Sequence, residues 1–344
     1  MFELHEFLIA FFVAAILSGL VTPIMKKLAI VYEVFDRPTE SHKTHKSAVP
    51  YLGGIAIICS VLITTLLGLS YVDSHTATLV LPFSVLVPAL ILGLIGLIDD
   101  FRKLSPLSRF LAQTISGVFT ASILISTNTV GSPTGIRGLD FMVTVFWIVG
   151  ITNSINFFDN HDGGASGAVA ISSMGLFLLA RTAQQDFIAA LAIVLSGACV
   201  GFLIWNRSPA RIYMGDAGAL FLGTILASLL VRYEPNPINR IASFSIPLFL
   251  LAIPILDSCV AIFSRLRRRK SPFEGGKDHL SHRLIRLKFS EEATAIILWT
   301  LSAFFVLLAL LISNLPFSLE GVAVGIGFMI WLMLLMFFMR QKDE

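Results

Sequence analysis

Residues 153–167 read Asn-Ser-Ile-Asn-Phe-Phe-Asp-Asn-His-Asp-Gly-Gly-Ala-Ser-Gly, at the end of an otherwise apolar segment. Asn153, Asn156, Asp159 and Asp162 stand three residues apart, and Gly163-Gly164 follow. On an ideal helix a step of three falls about 60° short of a full turn, so such residues trace a slowly rotating stripe in which neighbours touch. Asp162 is too far round to share a face with Asn153, and the paired glycines place it in the turn that ends the helix. Two carboxylates and two amides directed at one point, beside backbone that only glycine allows, suit a hard cation and the phosphates it carries. A solvated helix end is the plainer reading, but polar groups at membrane depth cost free energy unless they are used.

Membrane depth follows from composition. The 344 residues are 56% hydrophobic and 14% charged, with a mean hydropathy of +0.84, far more apolar than a soluble globular chain. A helix needs about 20 apolar residues to cross the hydrocarbon core. Such runs fall at 4–25, 51–70, 79–98, 109–127, 141–158, 165–181, 187–205, 217–232, 242–264, 292–313 and 317–338. The expected fold is therefore all-α, a polytopic integral membrane protein of about eleven transmembrane helices, with residues 1–344 as a single polytopic domain. The first run lacks a basic flank before it and a small-residue cleavage site after it, so it reads as a retained span. Cys59, Cys199 and Cys259 lie singly in apolar runs and build neither a disulfide framework nor a metal site. The loops after odd-numbered spans, with the tail and with Arg109 at the start of the fourth run, carry 21 of the 25 Lys and Arg. That asymmetry predicts that they face the cytoplasm, with the N-terminus outside.

The polar clusters gather on that same face. Lys26 to Pro50 is a basic stretch containing Lys26, Lys27, Arg37, His42, Lys43, His45 and Lys46, and Gly53-Gly54 open the second span. Asp99-Asp100-Phe101-Arg102-Lys103 end the third span. Adjacent carboxylates differ by about 100° on a helix, so one of them must look into the bundle, as a base or a cation holder. Asp216 lies between Gly215 and the eighth span, in the position of a helix N-cap; a helix start with glycines also lets an aspartate hold a metal against a phosphate. Asp257 follows Pro254 inside the ninth span, where an acid needs a partner or an aqueous cavity. Beyond it, His279, His282 and Arg283 close behind Gly275-Gly276, a composition suited to phosphate oxygens.

These stretches together resemble the polyprenyl-phosphate N-acetylhexosamine-1-phosphate transferases, also called glycosyltransferase family 4. His45 to Gly54 is similar to that family's His…Pro…Gly-Gly segment, and Asp99-Asp100 with Lys103 to its Asp-Asp-x-x-Lys motif. Asn153, Asn156, Asp159, Asp162 and Gly163 match its Asn-x-x-Asn-x-x-Asp-x-x-Asp-Gly signature, and Met214-Gly215-Asp216 with Gly218 its Met-Gly-Asp-x-Gly segment. Asp257 falls on a recurrent intramembrane aspartate, and His279, His282 and Arg283 on the histidine-rich loop. The departures are Tyr51, Asn160, His161, Gly164 and Ser281. His279-Leu280-Ser281-His282-Arg283 is unlike the consecutive histidines of the muramoyl-pentapeptide branch and nearer the N-acetylglucosamine-1-phosphate branch.

The resemblance implies transfer of GlcNAc-1-phosphate from a UDP-N-acetylhexosamine to undecaprenyl or another polyprenyl phosphate, releasing UMP, at the plasma (inner) membrane. It implies Mg²⁺, or Mn²⁺, held by Asp216 with Asp159. Asp99, Asp100, Asp159 and Asp162 would be catalytic; Lys103, Asn153, Asn156, His45, Asp257, His279, His282 and Arg283 would bind substrate. No nucleic-acid partner is expected, and a homodimer is allowed. A cation-coupled transporter is the competing class, but the polar groups do not continue toward the outer face. A CDP-alcohol phosphotransferase would need Ala-Arg soon after Asp162-Gly163, where Ala165-Ser166 stand.

Overall fold

The computed structural model describes residues 3–36, 48–71, 80–126, 134–235, 240–272 and 276–341. His45 lies outside the described residues, as do Arg37, His42, Lys43, Lys46 and Gly275.

The chain is built of helices: α1 (Leu4–Val31), α2 (Gly53–Tyr71), α3 (Val80–Arg102), α4 (Pro106–Ser126), α5 (Arg137–Phe158), α6 (Gly164–Thr182), α7 (Asp186–Asn206) and α8 (Gly215–Leu230). They continue as α9 (Arg240–Leu250), α10 (Ala252–Arg267), α11 (Leu280–Arg286), α12 (Glu291–Ile312) and α13 (Phe317–Arg340). A two-residue antiparallel bridge, β1 (Phe35–Asp36) with β2 (Val49–Pro50), closes the loop between α1 and α2. Among the described residues nine helices are long and apolar enough to cross a membrane, and α9 with α10 forms a bent pair that makes a tenth. The protein is a multi-pass membrane protein.

The remaining expected span is α8, which has 16 residues. At 1.5 Å per residue it is about 24 Å long, short of a full hydrocarbon core of about 30 Å. Its place in the bundle explains this: α8 packs against α2, α3 and α5, and every residue from Ala217 to Leu230 is buried. A helix that is apolar all round belongs inside a bundle.

The expected single span 242–264 is broken. Its halves meet at Leu251 with a bend of 73°. Pro254 has no N–H to offer the Leu250 carbonyl and its ring crowds that oxygen, which breaks the ladder. The Ser172 hydroxyl donates to the Leu250 carbonyl instead, at 2.6 Å. The break aims α10 toward the end of the bundle where α3, α5 and α7 finish and where α4, α6, α8 and α12 begin. α11, a short helix at that end, was not expected from the apolar runs because four of its seven residues, Ser281, His282, Arg283 and Arg286, are polar or charged.

Candidate active site at the polar end of the bundle

Glycines bring the backbone of α2, α3 and α8 together. The N–H groups of Gly53 and Gly54 donate to the carbonyls of Tyr213 and Met214, both at 2.9 Å. A Cβ on Gly54 would stand 2.3 Å from the Gly218 nitrogen, and one on Gly96 2.4 Å from the Asp216 carbonyl oxygen. Gly215 turns the chain into α8 with φ +67°, a conformation in which a side chain would be strained.

Asp216 does not cap α8; Asp100 does. The N–H groups of Asp216 and Ala217 donate to the two Asp100 carboxylate oxygens, at 2.9 and 3.2 Å. The N-terminal donors of α8 are thus met from another helix, which leaves the Asp216 side chain to face the interior. There Asn156 Nδ2 donates to Asp216 Oδ1 at 2.8 Å, and Arg109 Nη1 donates to Asp216 Oδ2 at 3.3 Å. The same Arg109 nitrogen donates to Asp99 Oδ2 at 3.0 Å, and the Leu104 N–H to Asp99 Oδ1 at 2.5 Å. The two adjacent aspartates therefore point to different partners, one to the α8 backbone and one to Arg109. Lys103, in the turn after α3, is exposed.

Arg109, Gln113, Asn153, Asn156 and Asp216 line a cavity of about 50 Å³, room for an ion and not for a nucleotide. Asn153 looks away from the carboxylates: its Nδ2 donates to Gln113 Oε1 at 2.5 Å and to the Val149 carbonyl at 2.8 Å. Arg109 and Gln113 are site residues that the sequence reading missed. The available signal was their spacing of four in an apolar helix, which puts both on one face of α4.

Asp159 is the C-cap of α5 and no described residue donates a hydrogen bond to its carboxylate. Burial, and then the neighbouring Asp216 and Asp162, push its carboxyl up to about 8. A concentration of negative charge around an unpaired carboxylate is a place that favours a cation. Asp162 lies in the turn, as expected, and Oδ2 accepts the Ala210 N–H at 2.8 Å, tying down the loop before α8. Gly163 has φ +70° and sits under Trp299, whose Nε1–H donates to the Gly163 carbonyl at 3.0 Å.

The second cluster is anchored on Asp257, which is fully buried. Its Oδ1 accepts the Leu280 N–H at 2.7 Å, which starts α11. The Arg265 guanidinium donates to His279 Nε2 at 3.2 Å, so that nitrogen carries the lone pair and Nδ1–H donates to Asp257 Oδ2 at 2.7 Å. Asp257 thus orients His279. Burial opposes ionisation of Asp278, but Arg265 at 2.9 Å and Arg268 hold its carboxyl below the ordinary value. His282 stands edge-on to His279, ring centres 6.1 Å apart. Burial first, and then the neighbours His279, Arg286, His161 and Lys277, push its imidazole down to about 3.

Arg283 is placed differently from its expected phosphate contact. Its side chain is fully buried. It donates to the carbonyls of Asp278, Phe338 and Gln341 at 3.0, 2.7 and 2.8 Å and to Ser264 Oγ at 2.5 Å. It pins α11 to α10 and to the end of α13, because carbonyls at a helix end need donors.

Residues 82–234 match the profile of glycosyl transferase family 4. Over 313 residues the chain is 29% identical to the probable undecaprenyl-phosphate N-acetylglucosaminyl 1-phosphate transferase of Bacillus subtilis, covering 89% of this chain and 85% of that one. It is 29% identical over 326 residues to the decaprenyl-phosphate N-acetylglucosaminephosphotransferase of Mycobacterium leprae, 86% and 81% of the two chains. It is 30% identical over 247 residues to the phospho-N-acetylmuramoyl-pentapeptide-transferase of Staphylococcus carnosus, 64% of this chain and 74% of that one. The chain belongs to glycosyl transferase family 4. Within this family 4 chain the matched region runs from α3 to just beyond α8, and so contains Asp99, Asp100, Asn156, Asp159, Asp162 and Asp216. The Asp257 and His279 cluster lies beyond it.

Proposed function

We propose that the protein transfers GlcNAc-1-phosphate from UDP-GlcNAc to a polyprenyl phosphate, undecaprenyl phosphate in the first instance. The products are UMP and a polyprenyl-diphosphate-linked sugar, made at the cytoplasmic face of the plasma membrane as a first membrane step of cell-envelope polysaccharide synthesis. The observation that carries this reading is the meeting of Asp216, Asn156, Arg109 and Asp99 at the polar end of the bundle, in a chain of this family. The names of the Bacillus and Mycobacterium relatives support GlcNAc as the sugar.

A divalent cation, Mg²⁺ with Mn²⁺ as a substitute, fits the donors present. Among the described residues no three His, Cys, Asp or Glu side chains form a metal cage, but Mg²⁺ is usually held by one or two carboxylates together with substrate phosphates. Asp216 and Asp159 would be those carboxylates. A cation held there would supply positive charge against the diphosphate and the departing UMP. Asn156 fixes the Asp216 rotamer, and Arg109 balances the charge of Asp99 and Asp216. Arg109, about one-third exposed, is placed to take an oxygen of the lipid phosphate while Asp99 keeps it aligned. Asp100 serves by holding α8 and hence Asp216. His279, set by Asp257, and the neutral His282 bind donor phosphate oxygens. A polyprenyl phosphate already ionised at neutral pH attacks phosphorus directly, so these residues position and screen charge. The central helix α8 lines no transport path: from Ala217 to Leu230 its only polar side chains are Thr224 and Ser228.

The test is UMP release by purified protein given undecaprenyl phosphate and Mg²⁺, with UDP-GlcNAc, UDP-GalNAc and UDP-MurNAc-pentapeptide in parallel. Lipid-dependent UMP from UDP-GlcNAc, abolished by EDTA and in folded Asp216→Asn, is expected. Release from another donor alone would overturn the sugar, and release insensitive to EDTA or in Asp216→Asn would overturn the metal assignment.

A further inference from the structure

A groove of about 510 Å³ lies between the end of α7 and the start of α12, and it shares no lining residue with the cavity at Asp216. Arg207 and Arg211 come from the loop that follows α7, and Glu292 from the first turn of α12. Ile204, Ile296 and Trp299 supply apolar wall, the two isoleucines 59% and 57% exposed.

Charges of both signs line this groove without neutralising one another. Among the described residues none forms an ion pair with Arg207, Arg211 or Glu292. The Arg211 guanidinium lies instead over the Trp205 ring, 5.7 Å from its centre. Arginine forks match phosphate oxygens, and a carboxylate accepts N–H from a primary ammonium. Depth favours a lipid as the carrier of both groups. The charges sit at the ends of two spans, whereas Ile204 and Ile296 lie inside them, so the groove straddles the boundary between headgroups and hydrocarbon.

We propose that this groove is a headgroup site for a phospholipid bearing a phosphate and a primary ammonium, phosphatidylethanolamine being the simplest. The phosphate meets Arg207 and Arg211, the ammonium meets Glu292, and an acyl chain runs along Ile204 and Ile296. The site is joined to the reaction centre. The Ala210 N–H, between the two arginines, donates to Asp162, and the Trp299 indole donates to the Gly163 carbonyl. Both walls are therefore bonded to the turn that follows Asp159, and an occupied groove steadies that turn.

The experiment is native mass spectrometry of the full-length protein released from mixed micelles holding equal amounts of phosphatidylethanolamine, phosphatidylcholine and phosphatidylglycerol. Retention of phosphatidylethanolamine about fivefold above the other two is expected, the effect of one solvent-exposed ion pair at Glu292. Arg207→Gln/Arg211→Gln, folded by its melting curve, should lose that excess. Glu292→Gln should hold phosphatidylethanolamine no better than phosphatidylcholine, whose quaternary ammonium has no N–H. Equal retention of the three lipids, preference for phosphatidylglycerol, or an excess that survives the double arginine variant would each overturn the proposal. Lipid retention is read without turnover, so its failure is separate from failure of the transferase reading.

Discussion

The Ser281 hydroxyl donates to Asn160 Oδ1 at 2.5 Å, so two positions that depart from the family resemblance are bonded to each other. Asn160 Nδ2 donates in turn to the Phe157 carbonyl at 2.6 Å and to Asp257 Oδ2 at 3.4 Å. One carboxamide thereby ties the end of α5, which carries Asp159, to the Asp257–His279 pair. Ser281→Ala and Asn160→Ala should each lower kcat for UMP release by about 5–30-fold, the loss of a hydrogen bond worth about 1–2 kcal/mol. The double variant should be no worse than the poorer single one, because the two act as one unit. Ser281 is 2% exposed, so Ser281→His should overpack and fall below Ser281→Ala. Additive single effects would separate the two residues.

Arg109 joins Asp99 and Asp216 through one nitrogen. Arg109→Gln leaves two carboxylates facing each other without a cation, and should cost about 1–3 kcal/mol of stability. Mg²⁺ should then raise the melting temperature of the variant more than that of the wild type, since the metal relieves repulsion that the arginine had screened. Turnover should fall at saturating Mg²⁺. Melting curves in detergent with and without Mg²⁺ check this, and a smaller Mg²⁺ shift in the variant would remove Arg109 from the site.

His282 sets a pH dependence. Its imidazole in the folded protein is pushed down to about 3, against about 6.5 for the ordinary group. Between these values the unfolded chain binds a proton that the folded one refuses. Stability is therefore intact above about 6.5 and falls as pH drops toward 3, by up to about 1.4 kcal/mol per pH unit. His282→Asn should flatten that slope in melting curves taken from pH 7.5 to 5. An unchanged slope would assign the acid sensitivity to other groups.

Gly54 brings the start of α2 against the first turn of α8. In Gly54→Ala the new Cβ would meet Gly218 backbone at 2.3 Å, and backbone yields less readily than a side-chain end. Overpacking of this kind costs about 1–3 kcal/mol, and displaces the turn that presents Asp216. A lowered melting temperature with a larger loss in kcat than in KM is expected, and wild-type turnover would show that the α8 start tolerates the shift.

The helices were legible in the sequence because a lipid-facing or core helix must be apolar over its whole length, and hydropathy records that directly. The turn at Gly163 and the polar end of the bundle were legible for the same local reasons, but the stripe does not converge on one point: Asn153 turns to Gln113 and Asp162 to the Ala210 N–H. Partners were not. That Asp100 and not Asp216 caps α8, that Arg283 is buried among carbonyls, that Arg109 stands between two acids, and that Ser281 meets Asn160 all depend on residues distant in the chain. Periodicity tells which face of a helix a side chain occupies, but the donor or acceptor opposite it is set by how helices cross. The break at Leu251 lies between these cases: Pro254 announced a lost hydrogen bond, and only the packing of α6 against α9 supplied the Ser172 hydroxyl that replaces it.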